Sequence, residues 1–224
     1  MTASSTGNDS GEGVRRARVL SRRRQLLDAA VTVMTRTGFH QMSMQALADE
    51  AEVSVGTIYQ YFSSKEDVLL DAIVGILEAF ADQLAPAMDT AGADPVERIA
   101  AGFDRYVRII DANRGAVALT YRESRTLPPE GQARIMELEV TTAAPLREAV
   151  EAGIAAGVFT PVDVDLMVYD LVMLAHAWAL KHWHFGRLYD LDTYIRKQLL
   201  FAFNTLIPVD GREPYRHHFH PETT

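Results

Sequence analysis

The sequence predicts an all-α protein with a three-helix N-terminal domain and a larger C-terminal helical domain. Apolar residues recur at helical spacing along most of the 224-residue chain, which is the period of an amphipathic helix. No segment shows the convincing alternation of apolar and polar residues that is typical of strands. Hydrophobic residues make up 48% and charged residues 23% of the chain, so it can bury a sizeable core.

The N-terminal helices follow from their apolar faces and caps. The first has an apolar face that ends before Gly38 and contains Leu26, Leu27, Ala30, Val31 and Met34. A short helix is predicted near 44–51, and another over 55–62 with Ser54 as its N-cap. Ser63 and Glu66 have the spacing of a capping box and are expected to open a long fourth helix.

The C-terminal helices are separated by proline and glycine signals. Asp94 and Pro95 suit a helix start, and a short helical segment over 116–124 ends at Leu127-Pro128-Pro129. We expect a helix over 130–157 with a bend at Pro145, then two helices over 163–185 and 192–206.

Charge is distributed unevenly. Residues 1–65 carry eight Lys/Arg against six Asp/Glu, whereas residues 66–224 carry fourteen against twenty-four, within a net charge of −8. Six of the eight N-terminal positive charges fall between Arg15 and Arg24. This pattern indicates a small basic module on an acidic body. The chain has no cysteine, which excludes disulfides and thiolate metal sites.

The segment Ser43–Lys65 has the pattern of a helix-turn-helix. Ala48 and Ala51 are small enough for two helices to approach closely, and a link of three or four residues joins them. The second helix presents hydroxyls, an amide and no acid, which suits base edges and phosphates. Lys65 stands at the start of the next helix, where an ammonium and free amides can meet a phosphate.

This segment resembles the DNA-binding signature of the TetR family, over roughly Arg22 to Leu70. The resemblance implies a dimeric transcriptional repressor that reads double-stranded operator DNA. The residues it assigns to DNA binding are Ser43, Met44, Val55, Gly56, Thr57, Tyr59, Gln60, Tyr61, Lys65 and Arg22. Glu52 departs from the family, which usually has glycine in the turn, and Gln60 stands at a variable position. The Arg15–Arg24 cluster contacts phosphates or is simply a solvated charge run.

The C-terminal half resembles TetR members that respond to acyl-CoA esters during fatty-acid or steroid breakdown. The resemblance lies in Tyr121–Pro128 and Trp178–Trp183. It implies an apolar tunnel with cations for phosphates or a carboxylate. The alternatives are plain core for the apolar residues, pairing of Arg122 and Arg125 with Glu123 and neighbouring acids, and packed or interfacial positions for His176 and Trp178. The candidate effector residues are Phe103, Arg105, Tyr106, Val107, Ile110, Tyr121, Arg122, Arg125, Met173, His176 and Trp178.

The last two helices resemble the pair that dimerises as a four-helix bundle in this family. They carry more apolar positions than one core face needs. The candidate interface residues are Leu166, Tyr169, Ile195, Leu199, Ala202, Phe203 and Leu206. A dimer would place two recognition helices about 34–36 Å apart for a palindromic operator.

Other functions are less well supported by the sequence. No motif of an enzyme stands out, and we expect neither cofactor nor metal. The tail histidines His217, His218 and His220 form a small cluster that is solvated or binds metal adventitiously. A regulator of efflux responding to apolar drugs and a helical adaptor without DNA binding remain as alternatives.

The sequence thus predicts four segments. A disordered basic arm covers 1–20, the helix-turn-helix domain 21–66, the effector and dimerisation domain 67–208, and a flexible His-rich tail 209–224. The first residues lack the features of a signal peptide, so a cytoplasmic location is expected. No apolar run approaches the roughly 18 residues that span a bilayer.

Overall fold

A computed structural model describes the backbone of residues 9–219 and the side chains of residues 15 and 17–219. No strand occurs among these residues, which confirms the all-α prediction. The helices are α1 (Asp9–Thr37), α2 (Met44–Glu50), α3 (Val55–Tyr59), α4 (Lys65–Thr90), α5 (Pro95–Ala112), α6 (Arg114–Glu123), α7 (Pro129–Ala155), α8 (Val164–Leu180), α9 (His182–Phe185), α10 (Leu191–Leu206) and α11 (Arg216–Phe219).

The chain divides into two compact units. The first comprises the described residues up to Ala72 together with Glu123–Leu127, and the second comprises Ile73–Arg122 and the described residues from Pro128 onward. Helix α4 begins in the first unit and continues without a break into the second.

The first unit has a core formed by one face of each of its helices. The buried side chains come from α1, α2, α3, the turn after α3 and the first turns of α4, and include Leu26, Ala30, Met34, Leu47, Ala48, Ile58, Phe62, Val68 and Leu69. The first helix ends where the sequence predicts, because Gly38 adopts φ 86° and its amide donates to the Met34 carbonyl at 2.8 Å. Glycine occupies this left-handed position without steric cost.

The N-cap of α4 lies one residue later than predicted. The Ser64 hydroxyl accepts from the amide of Asp67 at 3.1 Å, while the Asp67 carboxylate accepts from the amide of Ser63 at 3.1 Å. The prediction of Ser63 with Glu66 is therefore wrong. Adjacent serines and three adjacent polar residues satisfy the same spacing in two registers, so the pattern alone does not choose between them.

The expected disordered arm is also wrong where the structure describes it. Helix α1 starts at Asp9, so residues 9–20 are helical, while residues 1–8 lie outside the described part. Arginine, alanine and leucine dominate this stretch after Gly13, and all three favour helix. Val19 and Leu20, at the end of this stretch, are exposed. The stretch therefore extends α1 beyond the part of the helix that packs on the core of the first unit.

The second unit is organised around α5. Asp94 caps this helix by accepting from the amides of Val96 and Glu97, and Pro95 occupies the first turn. Its inner face is fully buried and packs against α7, α8 and α10. This face comprises Val96, Ile99, Phe103, Tyr106, Val107 and Ile110.

The final two long helices differ from their predicted form in two ways. Helix α8 stops at Leu180, and the short α9 follows after Lys181 adopts a non-helical conformation. Most of the predicted interface on α10 is core of its own subunit, because this face packs against α5. The buried residues are Ile195, Leu199, Ala202, Phe203 and Leu206, which belong to the core of the single subunit; their assignment to a dimer interface stays a prediction.

Other side chains of α8 and α10 do face solvent. Leu166 and Tyr169 are 61% and 47% exposed, in keeping with an interface role, and Met173 and Phe201 are 46% and 62% exposed. Helical periodicity identifies an apolar face but not the neighbour that covers it. The sequence alone therefore does not separate the core-facing positions of these helices from the exposed ones.

The chain after α10 is folded rather than flexible as far as Phe219. Two 3₁₀ turns and α11 follow, and the Tyr215 hydroxyl donates to the Asp94 carboxylate at 2.8 Å. The prediction of a flexible tail is therefore wrong for residues 209–219, while His220 and the residues after it lie outside the described part. Among the described residues, no helix combines the length and the apolar character needed to cross a membrane.

Candidate functional site

The turn between α2 and α3 is built by two serine caps and one left-handed residue. Ser43 accepts from the amide of Ala46, and Ser54 accepts from the amide of Thr57, each at 3.1 Å. Glu52 adopts φ 54°, the single positive φ of a non-glycine residue among those described. This left-handed conformation is strained for a residue with a side chain and is favoured by glycine. The turn therefore has the geometry expected for glycine, although residue 52 is glutamate.

Helix α3 buries one face and leaves the other open. Ile58 is fully buried, whereas Tyr59 is 56% exposed and Gln60 is also exposed. A methyl group added at Gly56 would meet only the Ser54 hydroxyl, at 3.7 Å. Glycine at this position is therefore not required by the interior, and its effect is to leave the outer surface of α3 open to a close approach.

Lys65 has a structural contact that the sequence did not indicate. Its ammonium donates to the carbonyl oxygens of His40 at 3.1 Å and Phe39 at 3.4 Å, and it lies 4.8 Å from the centroid of the Phe39 ring. It thereby fixes the start of α4 to the loop after α1. Its predicted role as a phosphate ligand stays a prediction.

The arginines of α1 divide into two groups. Arg23 pairs with Asp71 and lies near the Phe62 ring, and Arg36 pairs with Glu50 at 2.8 Å, so both join helices within the first unit. Arg22 is exposed and donates only locally, to Gln25 at 2.9 Å. Of the predicted cluster, Arg15, Arg18, Arg22 and Arg24 present their side chains to solvent, while the Arg16 side chain lies outside the described part.

The second unit contains a small internal cavity of about 20 Å³. Most of its lining is apolar, and its polar groups come from α6, α7 and α8. The lining residues are Ile73, Ile76, Leu77, Phe80, Val117, Thr120, Tyr121, Glu139 and His176. The Tyr121 hydroxyl lies 2.8 Å from Nδ1 of His176, and Tyr106 packs edge-on against the same imidazole and stacks on Phe80 with 4.0 Å between ring centroids.

Partial burial shifts the pKa values of the titratable groups around this cavity. It lowers the pKa of His176 to about 4 and raises the pKa of Tyr121 to about 12. The pKa of Glu139 is also raised by burial. A neutral imidazole and a neutral phenol can each donate or accept a hydrogen bond, so the cavity suits an uncharged polar group attached to an apolar body.

The candidate effector residues do not form one site. The structure brings together Tyr106, Tyr121, Met173 and His176, because the Tyr121 hydroxyl also lies 3.5 Å from the Met173 sulfur. Arg105 instead lines an open groove of about 870 Å³ formed by α4, α5 and α10. The remaining candidates lie elsewhere or in the core.

Phe103, Val107 and Ile110 are buried core residues of α5, and none of them lines the cavity. Trp178 packs on Tyr194 and donates its indole N–H to Asp111 at 2.8 Å. Arg122 is exposed, and Arg125 is exposed in the first unit. The candidates on α5 lie on a helix that contributes no residue to the cavity lining, and Arg125 lies in a 3₁₀ turn.

Glu139 is a cavity residue that the sequence reasoning missed. It lies in phase with buried positions of α7, namely Ile135, Thr142 and Leu146. An acidic residue four positions after one buried residue and three before the next lies at the edge of the buried stripe, where Glu139 reaches the cavity while remaining exposed. That irregularity in the pattern was available in the sequence as a signal.

Comparison with known proteins identifies the family. The profile described as bacterial regulatory proteins of the tetR family matches residues 26–72, and a tetracyclin repressor-like C-terminal domain matches residues 92–184. The HTH-type transcriptional regulator HbdR of Aromatoleum sp. (strain CIB) is 32% identical over 194 residues, covering 87% of this chain and 84% of HbdR. The chain belongs to the TetR family. It is a DNA-binding transcriptional regulator and not an enzyme, as its sequence predicts.

Two further similarities extend over most of the chain. The HTH-type transcriptional repressor KstR2 of Rhodococcus jostii (strain RHA1) is 26% identical over 187 residues, covering 83% of this chain and 91% of KstR2. The crystal structure of the regulator FadR of Bacillus subtilis, in complex with stearoyl-CoA, superposes with a TM-score of 0.68 at 24% identity, covering 80% of this chain and 96% of FadR. The TetR fold thus extends across both units, and a helical adaptor without DNA binding is excluded by membership in this family of regulators.

Proposed function

We propose that this TetR-family regulator is a repressor that binds a palindromic operator as a homodimer and is released by an acyl-CoA or a similar apolar effector. The observation that carries the DNA-binding part is the serine-capped α3 with an open outer face. Its exposed groups, above all Tyr59 and Gln60, are neutral donors and acceptors suited to base edges and phosphates.

The proposed DNA contacts surround this face. Thr57, Tyr59, Gln60 and Tyr61 supply hydroxyls and an amide, while Val55 and Gly56 allow close approach. Ser43 and Met44 at the start of α2, with Lys65 and Arg22, contact the phosphate backbone. Chromosomal operator DNA is in the cytoplasm of a bacterium, so we infer that the protein acts there.

The homodimer is proposed from the exposed apolar side chains of α8 and α10. Leu166, Tyr169, Met173 and Phe201 are large and apolar, and each leaves close to half or more of its surface exposed in the single subunit. Burying such side chains between two copies is favourable at about 25 cal/mol per Å². A twofold dimer also matches the twofold symmetry of a palindrome.

The effector site is proposed at the cavity beside Tyr121 and His176. Its present volume of about 20 Å³ admits little more than a water molecule, whereas ligand pockets measure about 300–1,000 Å³. An acyl group can therefore enter only if the helices around the cavity separate. Because Ile73, Ile76, Leu77 and Phe80 of α4 form one wall, entry displaces α4.

Displacement of α4 provides the route to DNA release. The helix is continuous from Lys65, beside the DNA-binding helices, to Thr90. A ligand that binds the displaced conformer more tightly shifts the population away from the DNA-binding conformer. Relatives named for fatty-acid and ketosteroid regulation support the acyl-CoA class. They include the fatty acid metabolism regulator protein of Bacillus subtilis, 28% identical over 114 residues, and the ketosteroid transcriptional regulator KstR2 of Mycobacterium tuberculosis.

DNA binding is tested by fluorescence anisotropy on DNA from upstream of the protein's own gene. Tyr59→Ala should weaken binding about 10-fold or more, because one lost base or phosphate contact costs about 1–3 kcal/mol. Trp183→Ala is a matched control, since Trp183 is an exposed aromatic residue on α9 in the second unit. Absence of binding by the unaltered protein at low salt would refute the proposal.

Effector class is tested by adding ligands to the protein–DNA complex. Release by acyl-CoA esters, with Tyr121→Phe reducing the response about 10-fold and Tyr189→Phe leaving it unchanged, supports the cavity assignment. Arg122→Ala tests whether that guanidinium contacts the effector's phosphates. Release by lipophilic drugs and not by acyl-CoA would favour the efflux alternative and contradict our proposal.

A further inference from the structure

The C-terminal segment brings two imidazoles onto one carboxylate at the start of α5. Nε2 of His217 lies 3.0 Å from Oε1 of Glu97, and Nε2 of His218 lies 3.1 Å from the same oxygen. All three potential ligand atoms lie within 4.8 Å of one another. We call these residues, Glu97, His217 and His218, the His–Glu cluster.

Elements outside the cluster hold it in place. Tyr215 donates to Asp94, the residue that caps α5, and the His218 ring packs against Phe203 with 5.0 Å between centroids. The Arg212 guanidinium donates to the carbonyl oxygens of Ile207 and Asn204, each at 3.1 Å. The approach of both histidines to Glu97 is therefore part of the fold of the chain end.

The two distances from the imidazole nitrogens to the Glu97 oxygen match the donor spacing around a transition-metal ion. Metal–nitrogen bonds of about 2.0–2.1 Å place neighbouring donor atoms about 2.9 Å apart in octahedral and about 3.3 Å apart in tetrahedral geometry. The two nitrogen–oxygen separations, 3.0 and 3.1 Å, fall between these values. The two imidazole nitrogens lie within 4.8 Å of each other, so an ion held by all three groups also requires the imidazoles to turn toward it.

The chemistry of the three groups restricts the class of ion. Two imidazoles and one carboxylate suit zinc, cobalt, nickel or copper, whereas magnesium and calcium prefer an all-oxygen set. Glu97 and His218 also line the 870 Å³ groove, so an ion has a path from solvent and water can complete its coordination.

We propose that the His–Glu cluster is a binding site for a divalent transition-metal ion such as Zn²⁺, which fastens the C-terminal helix α11 to the start of α5. The ion replaces the contacts between the two imidazoles and Glu97 by bonds to Nε2 of His217, Nε2 of His218 and the Glu97 carboxylate. Neither the DNA-binding surface nor the cavity beside Tyr121 takes part, so the site is independent of the proposed effector.

The experiment uses the full chain without a purification tag, because added histidines would bind metal themselves. Zn²⁺ binding is measured by calorimetry, and Co²⁺ is added as a spectroscopic probe of coordination. The variants are His217→Ala, which removes an exposed ligand, and Glu97→Gln, which keeps a hydrogen-bond acceptor but removes the charge. His184→Ala is the matched control, since His184 is an exposed histidine outside the cluster.

We expect one Zn²⁺ per chain and a loss of affinity in both variants. Changing a partner of a ligand already costs about 10–100-fold, so losing a ligand should cost at least as much. Zn²⁺ should also raise the Tm of the unaltered protein and of His184→Ala, but not of the two cluster variants. Equal binding by all four proteins would overturn the site, as would absence of binding by the unaltered protein; the histidines then act only as hydrogen-bond partners of Glu97.

Discussion

Glu52 lies in a backbone conformation that its side chain disfavours, so Glu52→Gly should stabilise the first unit. The residue has φ 54° in the turn between α2 and α3 and is exposed to solvent. For an L-residue, the left-handed conformation costs about 1–2 kcal/mol. Glycine avoids this cost, but it loses about 0.4–1 kcal/mol more backbone entropy on folding. The expected net gain is about 0.5–1 kcal/mol.

The matched control is Glu52→Ala, which removes the same carboxylate but keeps a Cβ at positive φ. Any change caused by charge alone appears in both variants, including a tighter hold on anionic DNA. Only the relief of the left-handed backbone conformation distinguishes Glu52→Gly from Glu52→Ala. For a protein of this size, about 0.5–1 kcal/mol corresponds to a Tm difference of about 1–4 °C.

The assay is hydrogen exchange of amides in α2 and α3, together with the Tm of each variant. The exchange rates of these amides report the free energy of opening of the first unit, even when the two units unfold separately. Slower exchange in Glu52→Gly than in Glu52→Ala is the expected result. Equal exchange in the two variants would show that the turn tolerates a side chain without strain, and the reasoning from φ would be refuted.

Three further changes test other contacts. Ser54→Ala removes the side-chain cap of α3 and should cost about 1 kcal/mol of stability with weaker DNA binding, whereas Ser54→Asp should retain the cap; equal losses in both would contradict the capping role. Trp178→Phe should cost about 1 kcal/mol in a urea titration because Asp111 loses its indole donor and keeps only its ion pair with Arg114, and a neutral effect would show that solvent replaces the indole. Burial lowers the pKa of His176 from about 6.5 in the unfolded chain to about 4 in the folded protein. The free energy of unfolding therefore falls by up to about 3 kcal/mol as the pH drops from about 6.5 to about 4. His176→Gln should lose less stability over this range, and an identical pH profile would refute the assignment.

The cavity and the metal cluster suggest two separate controls on the second unit. An effector at the cavity displaces α4, whereas an ion at Glu97 ties the chain end to α5. The two sites share no residue. A variant of one should therefore leave the measured response of the other unchanged.

Part of the candidate site was readable from the sequence because it depends on local rules. The serine cap of α3, the small residues Ala48 and Ala51 and the left-handed position at Glu52 all follow from residues a few positions apart. Hydrogen bonds within one or two helical turns are fixed by the local sequence, and tertiary packing has little freedom to change them. The register of the α4 cap escaped prediction because two overlapping patterns satisfied the same rule.

The effector and dimer surfaces were less predictable for the opposite reason. A buried face on α10 and an exposed face on α8 have similar apolar composition, and only their neighbours distinguish core from interface. Tyr121 and His176 are 55 residues apart, and they meet only because side chains of α6 and α8 come together in the folded second unit.

By itself, the sequence determined the helical class, the helix-turn-helix from Ser43 to Lys65 and the family to which the chain belongs. Only the tertiary structure decided which apolar faces are core, where a cavity with polar groups lies, and that His217 and His218 meet Glu97 across about 120 residues of chain. Periodicity and capping are properties of neighbouring residues, whereas contacts between distant helices depend on how all their faces pack at once.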